Sequence, residues 1–235
     1  MSLLKKISAG SPAVQRVAPF VIFVLLTAGQ GQFGPASAYW FYLAKTLVGA
    51  WLIFEMRPLI TEMRWALSWE AVVVGIGIFF VWIGISGGWT AQDSLWVKLG
   101  FAQPAAKTDS PWDPLVQFGG YTVVAWFFII VHIVGMTLVV PPLEEVFYRS
   151  FLYRYFASHN FLTVPLNRFL PWPFLVTILV FGCAHNEWLA GILCGAAYQW
   201  LVIRKNRLGD AMTAHAITNF LLGIYVVWRG AWHFW

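Results

Sequence analysis

The stretch Pro141-Pro142-Leu143-Glu144-Glu145-Val146-Phe147-Tyr148-Arg149 decides how this chain is read. From Leu115 to Val140, just before it, there is no aspartate, glutamate, lysine or arginine. Ionised groups beside so apolar a run are costly, and where they persist they mark a functional site with a partner to be named. Arg149 lies four residues after Glu145, so on an α-helix the two share a face and can pair. Glu144 is turned about 100° away. One glutamate thus has a partner in its own helix, and the other does not.

Composition says what surrounds this stretch. Of 235 residues, 60% are hydrophobic and 11% charged, against about 25% charged in soluble domains. That excludes an ordinary soluble domain and points to an integral membrane protein. The 15 tryptophans fit a bilayer, where Trp concentrates at headgroup level. The net charge of +5 then reads as flank charge facing an anionic leaflet. No basic cluster interleaved with aromatics is present, so nucleic acid is not expected as a partner. Cys183 and Cys194, both inside apolar segments, form neither a disulfide framework nor a C-x-x-C zinc motif.

Apolar runs predict an all-α, polytopic fold of about eight transmembrane helices. Lys5, Lys6 and Arg16 precede the apolar run Val17 to Ala28. This resembles a signal peptide with Ala36-Ser37-Ala38 as its cleavage site, but the gap is long and a short retained helix fits better. Further helices are expected over Tyr39–Met56 (interrupted by Lys45), Trp69–Ser86 and Leu115–Val140. Gly87 to Pro114, with five charges and three prolines, reads as an extramembrane loop holding a short amphipathic helix at Leu95–Phe101. Pro141-Pro142 should end one helix and start a short new one, Pro142 to about Phe156, carrying the glutamates. Trp172–His185, Trp188–Ile203 and Asp210–Trp228 complete the set. Residues 1–114 thus supply N-terminal helices and the loop, and 115–235 the functional core, in one integrated domain. The N-terminal charges favour a cytoplasmic N-terminus, whereas eight crossings would put Arg204–Arg207 outside, against the positive-inside rule.

Three places set proton-handling side chains where apolar ones are expected. They are Glu144 with Glu145 and Arg149, then His185 at the end of an apolar run, then His215 and Asn219 on one helix face. Lipid satisfies none of these groups, so they should turn inward. Burial disfavours a charged carboxylate and brings such a group toward the range where a general base works. Glu144 and His185 could hold and deprotonate a water, while His215 and Asn219 offer N–H donors for an oxyanion. The plain alternatives are a structural Glu145–Arg149 pair, His215 and Asn219 as inter-helix glue, and His185 as an interfacial residue. His132, without a polar neighbour within a turn, reads as structural. Zinc held by Glu144, His185 and His215 is a rival composition, but the spacing does not match H-E-x-x-H.

Glu-Glu-x-x-x-Arg (Glu144, Glu145, Arg149), Phe-x-x-x-His (Phe181, His185) and His-x-x-x-Asn (His215, Asn219) occur in that order on separate apolar segments. Over roughly Leu115 to Trp228 the chain resembles the CAAX prenyl protease and bacteriocin-processing family, the Abi-type intramembrane proteases. It is also similar to the small bacterial members found beside exosortase-type sorting systems. The resemblance implies a membrane-embedded, metal-independent endopeptidase of the glutamate type. Glu144 and His185 would activate water, His215 and Asn219 would form the oxyanion hole, and Glu145 and Arg149 would support them. It implies no cofactor, a membrane-associated peptide or protein substrate that need not be prenylated, and a bacterial cytoplasmic membrane. A non-enzymatic scaffold, a bacteriocin-immunity factor or a proton-coupled transporter is the contrasting class. The asparagine separates them, because a proton relay has no need of Asn219.

Overall fold

Proline and glycine punctuate this chain, and in the computed structural model they set where several helices start and turn. The structure describes Leu4, Lys6 and residues 10–85 and 112–235. The loop expected over Gly87–Pro114, and the amphipathic helix within it, lie almost wholly outside the described residues. The described residues form helices, turns and loops without a β-strand. Among the described residues, two helical stretches are long and apolar enough to cross a membrane, Val123–Ala157 and Gly209–Arg229. Pro12–Ala28, Trp69–Ile85 and Pro171–Cys183 are shorter apolar helices. The all-α fold expected from sequence is thus present among the described residues, while the eight full crossings are not confirmed.

The chain divides into two compact units. The first takes Met1–Arg64, Ser110–Phe147 and Asn219–Trp235. It opens with α1 (Pro12–Ala28), where the Ser11 hydroxyl caps the Val14 N–H and Pro12 starts the helix. Gly31 and Gly34, both at positive φ, turn the chain into α2 (Ser37–Met56), which packs on α1. Lys45, in the middle of α2, is buried. Its ammonium bonds the Thr27 hydroxyl at 3.3 Å and sits over the rings of Tyr42 and Phe23, at 4.3 and 5.0 Å from their centroids. An apolar helix tolerates this lysine because α1 supplies both an oxygen and a π-face.

The fourth expected helix, Leu115–Val140, starts later than predicted. Asp113 caps a single turn, α3 (Pro114–Gln117), and Gly119 and Gly120 then adopt positive φ, which L side chains rarely take. Only after Thr122 caps Ala125 does the long helix begin, as α4 (Val123–Val134). His132 on this helix is stacked between Tyr42 and Trp235, at 4.0 and 4.1 Å between ring centroids, which fits the structural role expected of it.

The prolines give the main correction. Pro141-Pro142 do not end one helix and start another, because helical backbone runs without interruption from Val123 to Ala157. Its register changes instead. A π-helical stretch, Gly135–Val139, precedes α5 (Val140–Glu145), and a second, Val146–Leu152, leads into α6 (Tyr153–Ala157). Each proline removes one backbone donor, and a local change of register accommodates that loss without breaking the rod. The division between the units falls inside this helix, after Phe147.

The second unit takes Trp65–Asp109 and Tyr148–Thr218. Its helices are α7 (Trp69–Ile85), α6, α8 (Pro171–Cys183), α9 (Trp188–Lys205) and the first part of α10 (Gly209–Arg229). α8 and α9 form a hairpin, and α7 packs along α9. Asn206, at φ 52°, terminates α9 in the left-handed conformation that asparagine tolerates. The basic run at the end of α9 is partly neutralised: Lys205 Nζ pairs with Glu70 at 2.6 Å and Arg207 Nε with Asp210 at 2.5 Å. Its cations are thus engaged with carboxylates of the same unit, a detail that charge counting along the sequence does not capture.

Candidate active site

Within the first unit stand Glu144, Glu145 and Asn219. Glu145 is fully buried. Glu144 is half-buried, but its Oε2 is shielded from solvent and has no hydrogen-bond partner among the described residues. The α2 face that meets this region carries Gly49, where an added Cβ would touch the side chains of Val139 and Leu143. Lys45, one turn earlier on α2, lies within electrostatic reach of the Glu144 carboxylate. Asn219 Nδ2 donates to the Met136 carbonyl at 2.7 Å, inside the first π-helical stretch. The glutamate and the asparagine are thus tied to one helical run, Asn219 at Met136 and Glu144 two turns later.

Within the second unit, Arg149, His185 and His215 gather on one ring. Phe181 is fully buried. Its centroid is 4.3 Å from the Arg149 guanidinium, 4.6 Å from the His185 ring and 6.3 Å from the His215 ring. Arg149 also donates to the Gly195 carbonyl at 3.5 Å and faces Tyr148 and Tyr198. A delocalised guanidinium against aromatic faces is the form in which a cation is buried at low cost.

His185 has a defined tautomer. Its Nδ1 is 2.7 Å from the Phe181 carbonyl, four residues back at the end of α8. A carbonyl only accepts, so Nδ1 carries the proton, and in the neutral ring Nε2 is left as the acceptor. The Phe181 carbonyl, one of the last of its helix, accepts both the His185 ring and the Ala184 N–H, the latter at 3.3 Å. The Phe-x-x-x-His spacing therefore does two things: the Phe181 ring meets both histidines and the arginine, and its carbonyl orients the first histidine.

The backbone under His185 is held by glycine. A Cβ on Gly182 would meet the Trp188 oxygen at 2.8 Å, and one on Gly191 would meet Gly182 Cα at 2.9 Å. α8 and α9 thus cross backbone to backbone immediately beside His185, as small residues permit in membrane helices. His215 is buried and stacked on Tyr198, with centroids 5.2 Å apart and planes at 28°. The Tyr198 hydroxyl donates to Thr218 at 2.8 Å, and Thr218 in turn reaches the Gly75 carbonyl at 2.8 Å. The sequence reading does not single out Tyr198, Thr218, Gly182 or Gly191. Gly191-x-x-x-Gly195 is the available signal, as a small-residue helix-crossing pattern.

The geometry can be set beside known proteins. Residues 125–221 match the family model described as type II CAAX prenyl endopeptidase Rce1-like. The match supports the CAAX protease family for that segment. The matched segment holds all three motifs, from Glu144 to Asn219, and lies inside the Leu115–Trp228 span of the sequence resemblance. The family is a protease family of membrane proteins, and the apolar helices of this chain agree with that setting. No curated protein and no solved structure matches the chain.

Proposed function

We propose that the chain is an intramembrane endopeptidase of the glutamate type that hydrolyses a peptide bond of a membrane-associated peptide or protein. Glu144 takes a proton from a water that also donates to His185 Nε2. The resulting hydroxide attacks the scissile carbonyl carbon, and the C=O electron pair moves onto oxygen. N–H groups of His215 and Asn219 hold that oxyanion. Collapse of the tetrahedral intermediate breaks the C–N bond, and Glu144 returns its proton to the leaving amine. Glu145 and Arg149 support the helix that carries the base. The base, the water's acceptor and the oxyanion donors are all side chains, so the reaction as written needs no metal. The bacterial cytoplasmic membrane is the proposed setting, and the substrate need not be prenylated.

The observation that carries this reading is the His185 Nδ1 contact with the Phe181 carbonyl, within a segment of a protease family. In the neutral ring this contact leaves Nε2 as the nitrogen that accepts a hydrogen bond from water. The test compares, by mass spectrometry, membrane peptides from cells expressing the wild-type chain, Glu144→Ala or His185→Ala. Each variant should stay folded and lose at least ~100-fold in cleavage, so that peptides accumulate. Wild-type processing in Glu144→Ala would reject the mechanism. The same purified protein, assayed on the accumulated peptides with and without a chelator, should cut equally well, and chelator-sensitive cleavage would restore zinc.

A further inference from the structure

In a π-helical stretch each backbone N–H reaches back five residues instead of four. Val140 does this, its N–H bonding the Gly135 carbonyl. The next donor in that register stands at position 141 and faces the Met136 carbonyl. Position 141 is proline and has no N–H to give. Met136 is buried, so its carbonyl cannot turn to water instead. Asn219 Nδ2 donates to that same oxygen at 2.7 Å, from 83 residues away. One turn further along α10, Gly223 lets the helix approach Ile133 and the Met136 sulfur, with an added Cβ at 3.1 and 3.5 Å. Asn219 and Gly223 share the face of α10 that lies on the π-helical stretch.

We propose that Asn219 is a positioning residue for Glu144, its side-chain amide replacing the backbone donor that Pro141 lacks. The contact fixes the carbonyl from which the register leading into Glu144 begins. An asparagine amide has two N–H bonds. One is spent on Met136; the other remains for the oxyanion, a role that rests on the proposed mechanism. The asparagine of His-x-x-x-Asn then links the two halves of the chemistry, with one hydrogen on the helix of the base and one on the developing charge.

A double-mutant cycle in the full-length protein in detergent tests this. Pro141→Ala restores an N–H able to reach Met136, so Asn219 becomes redundant for positioning. Asn219→Ala should lower the midpoint of thermal unfolding by ~5 °C when Pro141 is kept, and by less than half of that in the Pro141→Ala background. Equal losses in both backgrounds would overturn the inference. If Asn219→Ala fails to fold, recovery of folded protein on adding Pro141→Ala supports it, and failure in both backgrounds overturns it. Cleavage of the peptides that accumulate with Glu144→Ala separates the two roles. A stability-rescued double variant still ~100-fold down in kcat keeps the oxyanion role as well. One that regains activity leaves positioning standing and removes Asn219 from the oxyanion hole.

Discussion

The two units hold their polar residues by different means. In the second, helices meet backbone to backbone: an added Cβ on Gly75, Gly182 or Gly191 would strike the Ala214 oxygen, the Trp188 oxygen or Gly182 Cα. His185, in the turn between α8 and α9, and His215, on α10, therefore stand where main-chain atoms set the helix separation. In the first unit, an added Cβ on Gly49, Gly135 or Gly223 would meet side chains alone, among them Val139, Thr46 and Ile133. There a proline-altered register and a side-chain amide locate the helix of Glu144. Histidines placed by main-chain packing leave little freedom to substitution. A glutamate placed by a hydrogen bond depends on one partner and tolerates its apolar neighbours.

Phe181→Ala should break the second unit's arrangement most severely. It removes the ring shared by Arg149, His185 and His215, at a cost of about 3–5 kcal/mol of stability. Cleavage should fall with it. Phe181→Leu, which fills most of the volume and keeps the carbonyl that orients His185, should lose less of both. Unfolding midpoints read beside peptide accumulation test this, and equal effects of the two variants would mean that the ring is not the organiser.

A glycine series sharpens the contrast at intermediate cost. Gly182→Ala should destabilise by about 1–3 kcal/mol, because the new methyl meets the Ile192 side chain and the main chain at Trp188 O and Ile192 N. Gly135→Ala meets the Thr46 hydroxyl at 2.7 Å and the Tyr42 ring at 3.1 Å. Both are side-chain atoms that can shift, so its loss should stay below about 1 kcal/mol, helped by alanine's better helix propensity. Unfolding of the two variants side by side gives the ranking, and the reverse order would contradict the division drawn between the units.

Much of this is legible in the residues, for physical reasons. Apolar runs locate α8, α9 and α10 to within a few residues, because a membrane leaves the backbone few alternatives to the helix. The motif residues can be picked out because polar groups in such runs need a reason to be there. The fate of Pro141-Pro142 is not legible. Whether a proline breaks a helix or only shifts its register depends on which group satisfies the stranded carbonyl, and that donor is Asn219, 83 residues from Met136. The Glu145-to-Arg149 pairing likewise assumes α-helical geometry, whereas the backbone is π-helical from Val146. The late start of α4 follows from two adjacent glycines at positive φ, which composition alone makes look like part of an apolar span.

The smallest expected effect probes the seat of His215. Tyr198→Phe keeps the ring that stacks on the histidine and removes only the hydroxyl that donates to Thr218. Thr218 retains its own bond to the Gly75 carbonyl and a second contact with the Ala214 carbonyl, so the helix crossing stays supplied with a donor. The loss should be about 1 kcal/mol of stability with near-wild-type cleavage. Tyr198→Leu, which removes the ring as well, should lower cleavage beyond its effect on folding, because His215 then loses the face that fixes its plane. If Tyr198→Phe costs as much activity as Tyr198→Leu, the hydroxyl and not the ring orients the histidine. The second unit would then rely on a side-chain hydrogen bond, as the first does at Asn219.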